Sequence, residues 1–102
     1  MHPSGNPLIQ QLASADRQSR RTAAYQLTRQ PDPAAVPALL TALQEAQGDS
    51  GLTCALVKAL GYAGDPLALD ALNNLTRRAD TTCVQVACAK ALERLGADHD
   101  AD

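Results

Sequence analysis

The sequence predicts an all-α fold: about six helices stacked in pairs as a short right-handed α-α superhelix. Three observations predict it. Ala and Leu make up 35 of the 102 residues, and both are good helix formers and poor strand residues. A unit of about 30 residues recurs: Ala23-Ala24-Tyr25-Gln26-Leu27 matches Leu56-Val57-Lys58-Ala59-Leu60 and Cys88-Ala89-Lys90-Ala91-Leu92 at offsets of 33 and 32. Each unit holds two tracts with apolar residues at helical spacing, so each helix has an apolar face that only a neighbour can cover. Phe and Trp are absent, which leaves a core of Leu, Ala and Val.

The elements follow in order. Pro7-Leu8-Ile9-Gln10-Gln11-Leu12 echoes the tract from Pro37 to Ala42 at an offset of 30 and predicts a helix over 7–13. The tract around Ala23 and Leu27 predicts one over 16–29. Asp32-Pro33 and Asp65-Pro66 each place a capping acceptor before a proline at the first helical position, where no N–H is needed. They open helices over 34–46 and 66–78. Val36, Leu39, Leu40 and Leu43 form the stripe of the first; Pro37 requires a 3₁₀ first turn or a later start. Leu52, Leu56, Ala59, Leu60 and Ala63 form the stripe of a helix over 51–62, with Gly61 and Gly64 as its stops. Thr82-Cys83-Val84-Gln85 fits a capping box for a last helix over 82–95, with Asp80 as a rival cap and Gly96 as the stop. Gln47 to Gly51 reads as a turn. The domain is expected over 7–96, with 1–6 a flexible N-terminus and 97–102 a disordered acidic tail. The helices carrying Leu27, Leu60 and Leu92 are A-type, and those after the Asp-Pro turns are B-type.

Global numbers exclude several classes. No stretch approaches the roughly 20 apolar residues of a membrane span. Met1 to Gln11 has neither the basic nor the apolar region of a secretory leader. Three cysteines without ligand spacing point to a reducing, cytoplasmic setting. The net charge is −2, and nothing aromatic is placed to stack a base, so nucleic acid is not expected despite Arg17, Arg20, Arg21 and Arg29. An Asp16–Arg20 pair at i, i+4 explains part of that cluster.

At these residues the chain resembles the HEAT-like repeats named after the phycobilisome lyases. Arg20, Ala23, Ala24 and Leu27 match the pattern's A-helix; Asp32, Pro33, Ala35, Val36, Pro37, Leu39 and Leu43 match its turn and B-helix. Leu60, Gly61, Gly64, Asp65, Pro66, Ala68, Leu69 and Leu72 match a second unit. Thr53 and Gln85 replace the A-helix arginine in the later units, and the last A-helix has no B-helix after it. The resemblance implies an α-solenoid of bacterial type. It also implies kinship with bilin lyases and related chromophore-handling proteins.

The B-helix polar ridge is the candidate protein-binding surface. Repeat offsets align Gln11, Thr41 and Asn74, and then Ser14, Gln44 and Arg77, with Asp70 on the same side. These residues suit a concave strip of adaptable hydrogen bonds without aromatic anchors. On the last helix Cys83, Val86 and Ala89 add an apolar side away from the core, predicting association with a second copy or another subunit. Cys54 and Cys88 fall at core positions and read as packing residues, while Cys83 near a helix start is a candidate reactive thiol. Asp32 and Asp65 are occupied as caps and lie a repeat apart, so they do not form a catalytic pair. His99 among Asp98, Asp100 and Asp102 makes no credible metal site. No catalytic residue, metal or cofactor is expected. The expected function is a non-catalytic protein-interaction or scaffold module. A chromophore-handling lyase subunit is the alternative, and a DNA-binding array stands behind both.

Overall fold

The computed structural model describes residues 7–46, 48–79 and 81–100, with only the backbone described for 96–100. Among these residues there are six α-helices and no strands. They are α1 (Pro7–Leu12), α2 (Arg17–Arg29), α3 (Val36–Glu45), α4 (Ser50–Ala63), α5 (Ala68–Arg78) and α6 (Thr82–Asp100), with a 3₁₀ turn over Pro33–Ala35. None is long and apolar enough to cross a membrane.

Local chemistry sets the helix starts. Asp16 accepts from the Gln18 amide and the Ser19 hydroxyl at the head of α2, and Asp49 accepts from the Leu52 amide at the head of α4. The two Asp-Pro turns share one geometry. Asp32 Oδ1 accepts from the Ala34 amide at 3.0 Å and Asp65 Oδ1 from the Leu67 amide at 3.0 Å. In each, the aspartate carbonyl accepts from the amide three residues on. The 3₁₀ turn ahead of Val36 absorbs Pro37, which then sits in the first turn of α3, where its missing N–H leaves no gap.

Several boundaries depart from expectation. Gly64 ends α4 at φ 74°, in the left-handed region that glycine enters freely. Gly61, by contrast, lies inside α4 and is buried. Gly96 does not end α6, which runs on to Asp100. A lone glycine costs a helix only about 1 kcal/mol, and neither proline nor a left-handed turn follows to break it. Residues 97–100 are therefore helical rather than a disordered tail; 1–6, 101 and 102 lie outside the described residues, as does the rival cap Asp80. The capping box at Thr82 does not form. Its Gln85 side chain donates backward to the Ala79 carbonyl at 2.8 Å, and Thr81 occupies the position before the helix. The turn before α4 is shorter than expected, because Ser50 and Gly51 are already helical.

The helices form two layers in a slab whose smallest extent is 19 Å, about two helix diameters. The A-layer is α2, α4 and α6, and the B-layer is α1, α3 and α5; in both, consecutive members are neighbours. Each B-type helix packs chiefly on the A-type helix that follows it: α1 on α2, α3 on α4, α5 on α6. The chain thus makes three complete helix pairs, and the last A-type helix is not left without a partner. Equivalent residues take equivalent places. Leu27 and Leu60, Ala35 and Ala68, and Leu39 and Leu72 are all fully buried. Leu92, on the last helix of the described stack, is half-buried.

Helix α4 is the centre. Nine consecutive-turn residues from Leu52 to Gly61 are buried against α2, α3, α5 and α6. Contacts of α4 with α6 advance in the same sense along both, from Cys54/Cys83 through Gly61/Ala91 to Tyr62/Arg94, so the two run parallel. At Gly61 the two backbones come close: a Cβ built there would lie 3.0 Å from both Cα and Cβ of Ala91. At the other end of α4, Arg17 of α2 grips Asp49 through both guanidinium nitrogens that face it. The hydrogen bond from Arg17 lowers the Asp49 carboxyl most, from near 3.8 to about 2; the Leu52 amide and the charges of Arg17 and Arg21 add to this, and partial burial opposes it.

Two predictions follow from this packing. In Gly61→Ala the overpacking cost of about 1–3 kcal/mol exceeds the helix-propensity gain of about 1 kcal/mol. Urea denaturation should show net destabilisation, while Gly51→Ala, with no neighbour closer than 3.7 Å, should be neutral or stabilising. Asp49 has a depressed folded pKa, so its contribution is full above the unfolded value near 3.8 and is lost as pH falls toward about 2. The stability difference between wild type and Asp49→Asn, which keeps a cap acceptor, should therefore shrink across that acid range.

Candidate functional site

The stripes of α3 and α5 do more than fill the core. These two helices touch sparingly compared with the A-layer, and a cavity of about 640 Å³ opens between them. Leu40 and Leu43 from α3, Leu75 from α5 and Val84 from α6 give it an apolar floor. Gln44, Asn74 and Arg78 are exposed and supply polar walls. Ser50, Thr53 and Thr81, at or near the starts of α4 and α6, also line it. Thr53 is buried and donates to the Ala46 carbonyl at 3.3 Å, which satisfies the last turn of α3.

Of the predicted strip, Gln44 and Asn74 line this groove. Asn74 also shares a shallow depression along α5 with Asp70 and Arg77, and Arg77 donates to the Asn74 side-chain oxygen. Thr41 is exposed on α3 but lies outside both hollows, as does Gln11 on α1. Ser14 does not extend the strip: it sits in the turn after α1, where its hydroxyl accepts from the Asp16 amide at 3.0 Å. The geometry therefore brings Gln44, Asp70, Asn74 and Arg77 together and leaves Thr41 of α3 apart, along with Gln11 and Ser14.

The residues the sequence reading missed are Leu40, Leu75 and Arg78. Leu40 and Leu75 are half-buried and belong to apolar stripes, which hid their position at the mouth of the groove. The signal for Arg78 was available: it lies four residues beyond Asn74, one turn along the same face.

The other singled-out groups are engaged locally. Arg17 holds Asp49, Arg21 lies 5.5 Å from the Tyr25 ring centroid, and Arg20 Nε is buried with no hydrogen-bond partner among the described residues. The expected Asp16–Arg20 pair does not form, because the Asp16 carboxylate turns to the Gln18 amide and the Ser19 hydroxyl. Cys88 is fully buried and Cys54 nearly so, and burial raises both thiols. Cys83, Val86 and Ala89 are all exposed along α6. The side chains of Asp98, His99 and Asp100 lie outside the described residues.

Comparison with known proteins agrees with this architecture. Searches of curated proteins and of solved structures gave no significant match. The sequence model for HEAT repeats matches residues 5–93, nearly the whole helical stack. On that match, and with helix pairs stacked in register, the chain belongs to the HEAT-repeat family.

Proposed function

We propose that this chain is a non-catalytic protein-interaction module, and that its binding surface is the groove between α3 and α5. The carrying observation is the cavity itself: a leucine floor, amide walls from Gln44 and Asn74, and Arg78 at the rim. Its volume lies in the range of ligand-binding hollows, roughly 300–1,000 Å³. Among the described lining residues there is no carboxylate or imidazole, which favours binding over acid–base chemistry.

The occupant is a partner segment that offers an apolar side chain next to a carboxylate. The apolar group fills the leucine floor, and the carboxylate meets Arg77 and Arg78 at the basic end of α5. Arginine suits this through its planar fork of donors. A further contact, with a second copy through Cys83, Val86 and Ala89, rests on less surface. Val86, 47% exposed, is its one large apolar side chain.

The match of Gly61, Gly64, Asp65, Pro66, Ala68, Leu69 and Leu72 to the phycobilisome-lyase repeat pattern supports a finer placing among those repeats. It also keeps a bilin-handling role as the second reading. Tyr25 and Tyr62 both lie outside the groove, so its lining offers no aromatic face to a bilin, and the protein-binding reading is preferred. The engagement of Arg17 and Arg21 within the fold likewise weakens a phosphate-binding role.

Selection of displayed random peptides against the folded chain tests the proposal. Enriched peptides should carry Leu or another large apolar residue beside Asp or Glu. Arg78→Glu and Asn74→Glu, both at exposed positions, should weaken them about tenfold or more, or ~1.4 kcal/mol, with the thermal midpoint unchanged. Peptides that bind both variants as tightly as wild type would place the interaction elsewhere.

A further inference from the structure

The three cysteines are free thiols, and two of them meet. Cys54, on α4, is 8% exposed; Cys83, the second residue of α6, is exposed to solvent. Their Sγ atoms lie 2.7 Å apart, although 29 residues separate them in sequence. That gap is only roughly 0.7 Å longer than a disulfide bond, so no helix has to be rebuilt to close it. Cys88 lies on the same helix but is wholly buried and faces Thr76. One thiol is thus open to solvent, one is shielded and in contact with it, and the third is apart. Attacking and resolving thiols in exchange reactions have this arrangement.

We propose that Cys54 and Cys83 form a dithiol redox site, converted to an intramolecular disulfide by small-molecule disulfides of the glutathione type, which staples the start of α6 to α4. Cys83, as the thiolate, attacks one sulfur of oxidised glutathione. A Cys83–glutathione bond forms, the glutathione disulfide breaks, and one glutathione thiolate leaves. That thiolate takes the proton of Cys54. The Cys54 sulfur then attacks Cys83 Sγ, the Cys54–Cys83 bond forms, and the second glutathione departs as its thiolate. Two electrons pass from the protein to glutathione, and reduced glutathione runs the sequence backward.

The environment supports this order of events. Burial, the hydrogen bond with Cys83 and the charge of Cys83 push the Cys54 thiol up to about 12, so Cys54 waits as a protonated thiol. Capping Cys83 with glutathione removes the hydrogen bond and the charge of Cys83, while burial and the Cys88 charge stay and Lys58 favours the Cys54 thiolate. The contact geometry then supplies the rest: Cys54 Sγ already lies against the sulfur it must attack.

The test uses the reduced chain, incubated with oxidised glutathione at mildly alkaline pH, then unfolded, alkylated and mapped without reduction. The expected result is a linked Cys54–Cys83 peptide, loss of two of the three free thiols, an alkylated Cys88 and complete reversal by dithiothreitol. The linked form should melt higher by on the order of 10 °C. In Cys83→Ser, an exposed change that spares the fold, Cys54 should take up no glutathione. In Cys54→Ser, Cys83 should keep its glutathione. A wild-type chain that stays glutathionylated at Cys83 with Cys54 free would overturn the proposal. So would cross-linking of two chains through Cys83, or an intramolecular link that leaves the melting temperature unmoved.

Discussion

The structure depends on how closely α4 can approach its neighbours. A 14-residue helix is marginal in water on its own, and this chain has no Phe or Trp to bury large areas per residue. What it has is small residues at the crossings. Ala55, Ala59 and Gly61 on α4 face a neighbourhood that includes Ala23 and Ala24 of α2 and Ala87 and Ala91 of α6, all buried. Small side chains let helix axes draw toward the short end of the usual 8–10 Å range. Leucines such as Leu27, Leu56 and Leu60 then fill the space between at high density. Dispersion contacts are individually weak and fall off steeply with distance, so a core of Ala and Leu holds only if the helices are close.

The same constraint explains the groove. The A-layer carries the small-residue seam, while between α3 and α5 larger side chains, among them Leu40 and Leu75, line the hollow. Drawing one layer together while the other stays apart spreads the B-layer like the open side of a wedge. Leucines at the mouth of that wedge are only half covered, and the polar residues beside them become its walls. The hollow is thus a consequence of how the Ala and Gly residues are distributed.

Much of this was legible in the sequence, because a stacked array repeats its constraints. Leu39 and Leu72, 33 residues apart, are buried alike, and the turns at Asp32 and Asp65 have the same bonds. What failed to show was what periodicity does not carry. A period has no phase, so grouping each A-type helix with the B-type helix after it was as consistent as the pairing found, in which the B-type helix comes first. Glycine is similarly ambiguous: it ends a helix at Gly64 through a positive φ, and at Gly61 it permits contact with α6. The groove was half visible. Gln44 and Asn74 stood out as polar residues on B-type helices, but nothing in a one-dimensional pattern separates a leucine in the core from one at the mouth of a wedge.

The cysteine pair sits at the junction of these two features. Cys54 and Cys83 join α4 to α6 at the head of the A-layer seam. Their chain neighbours Thr53 and Val84 turn the other way and line the groove. Any bond that fixed the separation of α4 and α6 at that point would also fix the distance between Thr53 and Val84, and with it one end of the hollow. Closed packing transmits such a constraint because a filled core has little room to absorb it. Helix α5 rests on α6, so its position over the groove follows from where α6 is held. The A-layer seam is therefore both what binds the layers together and what sets the shape presented on the opposite side.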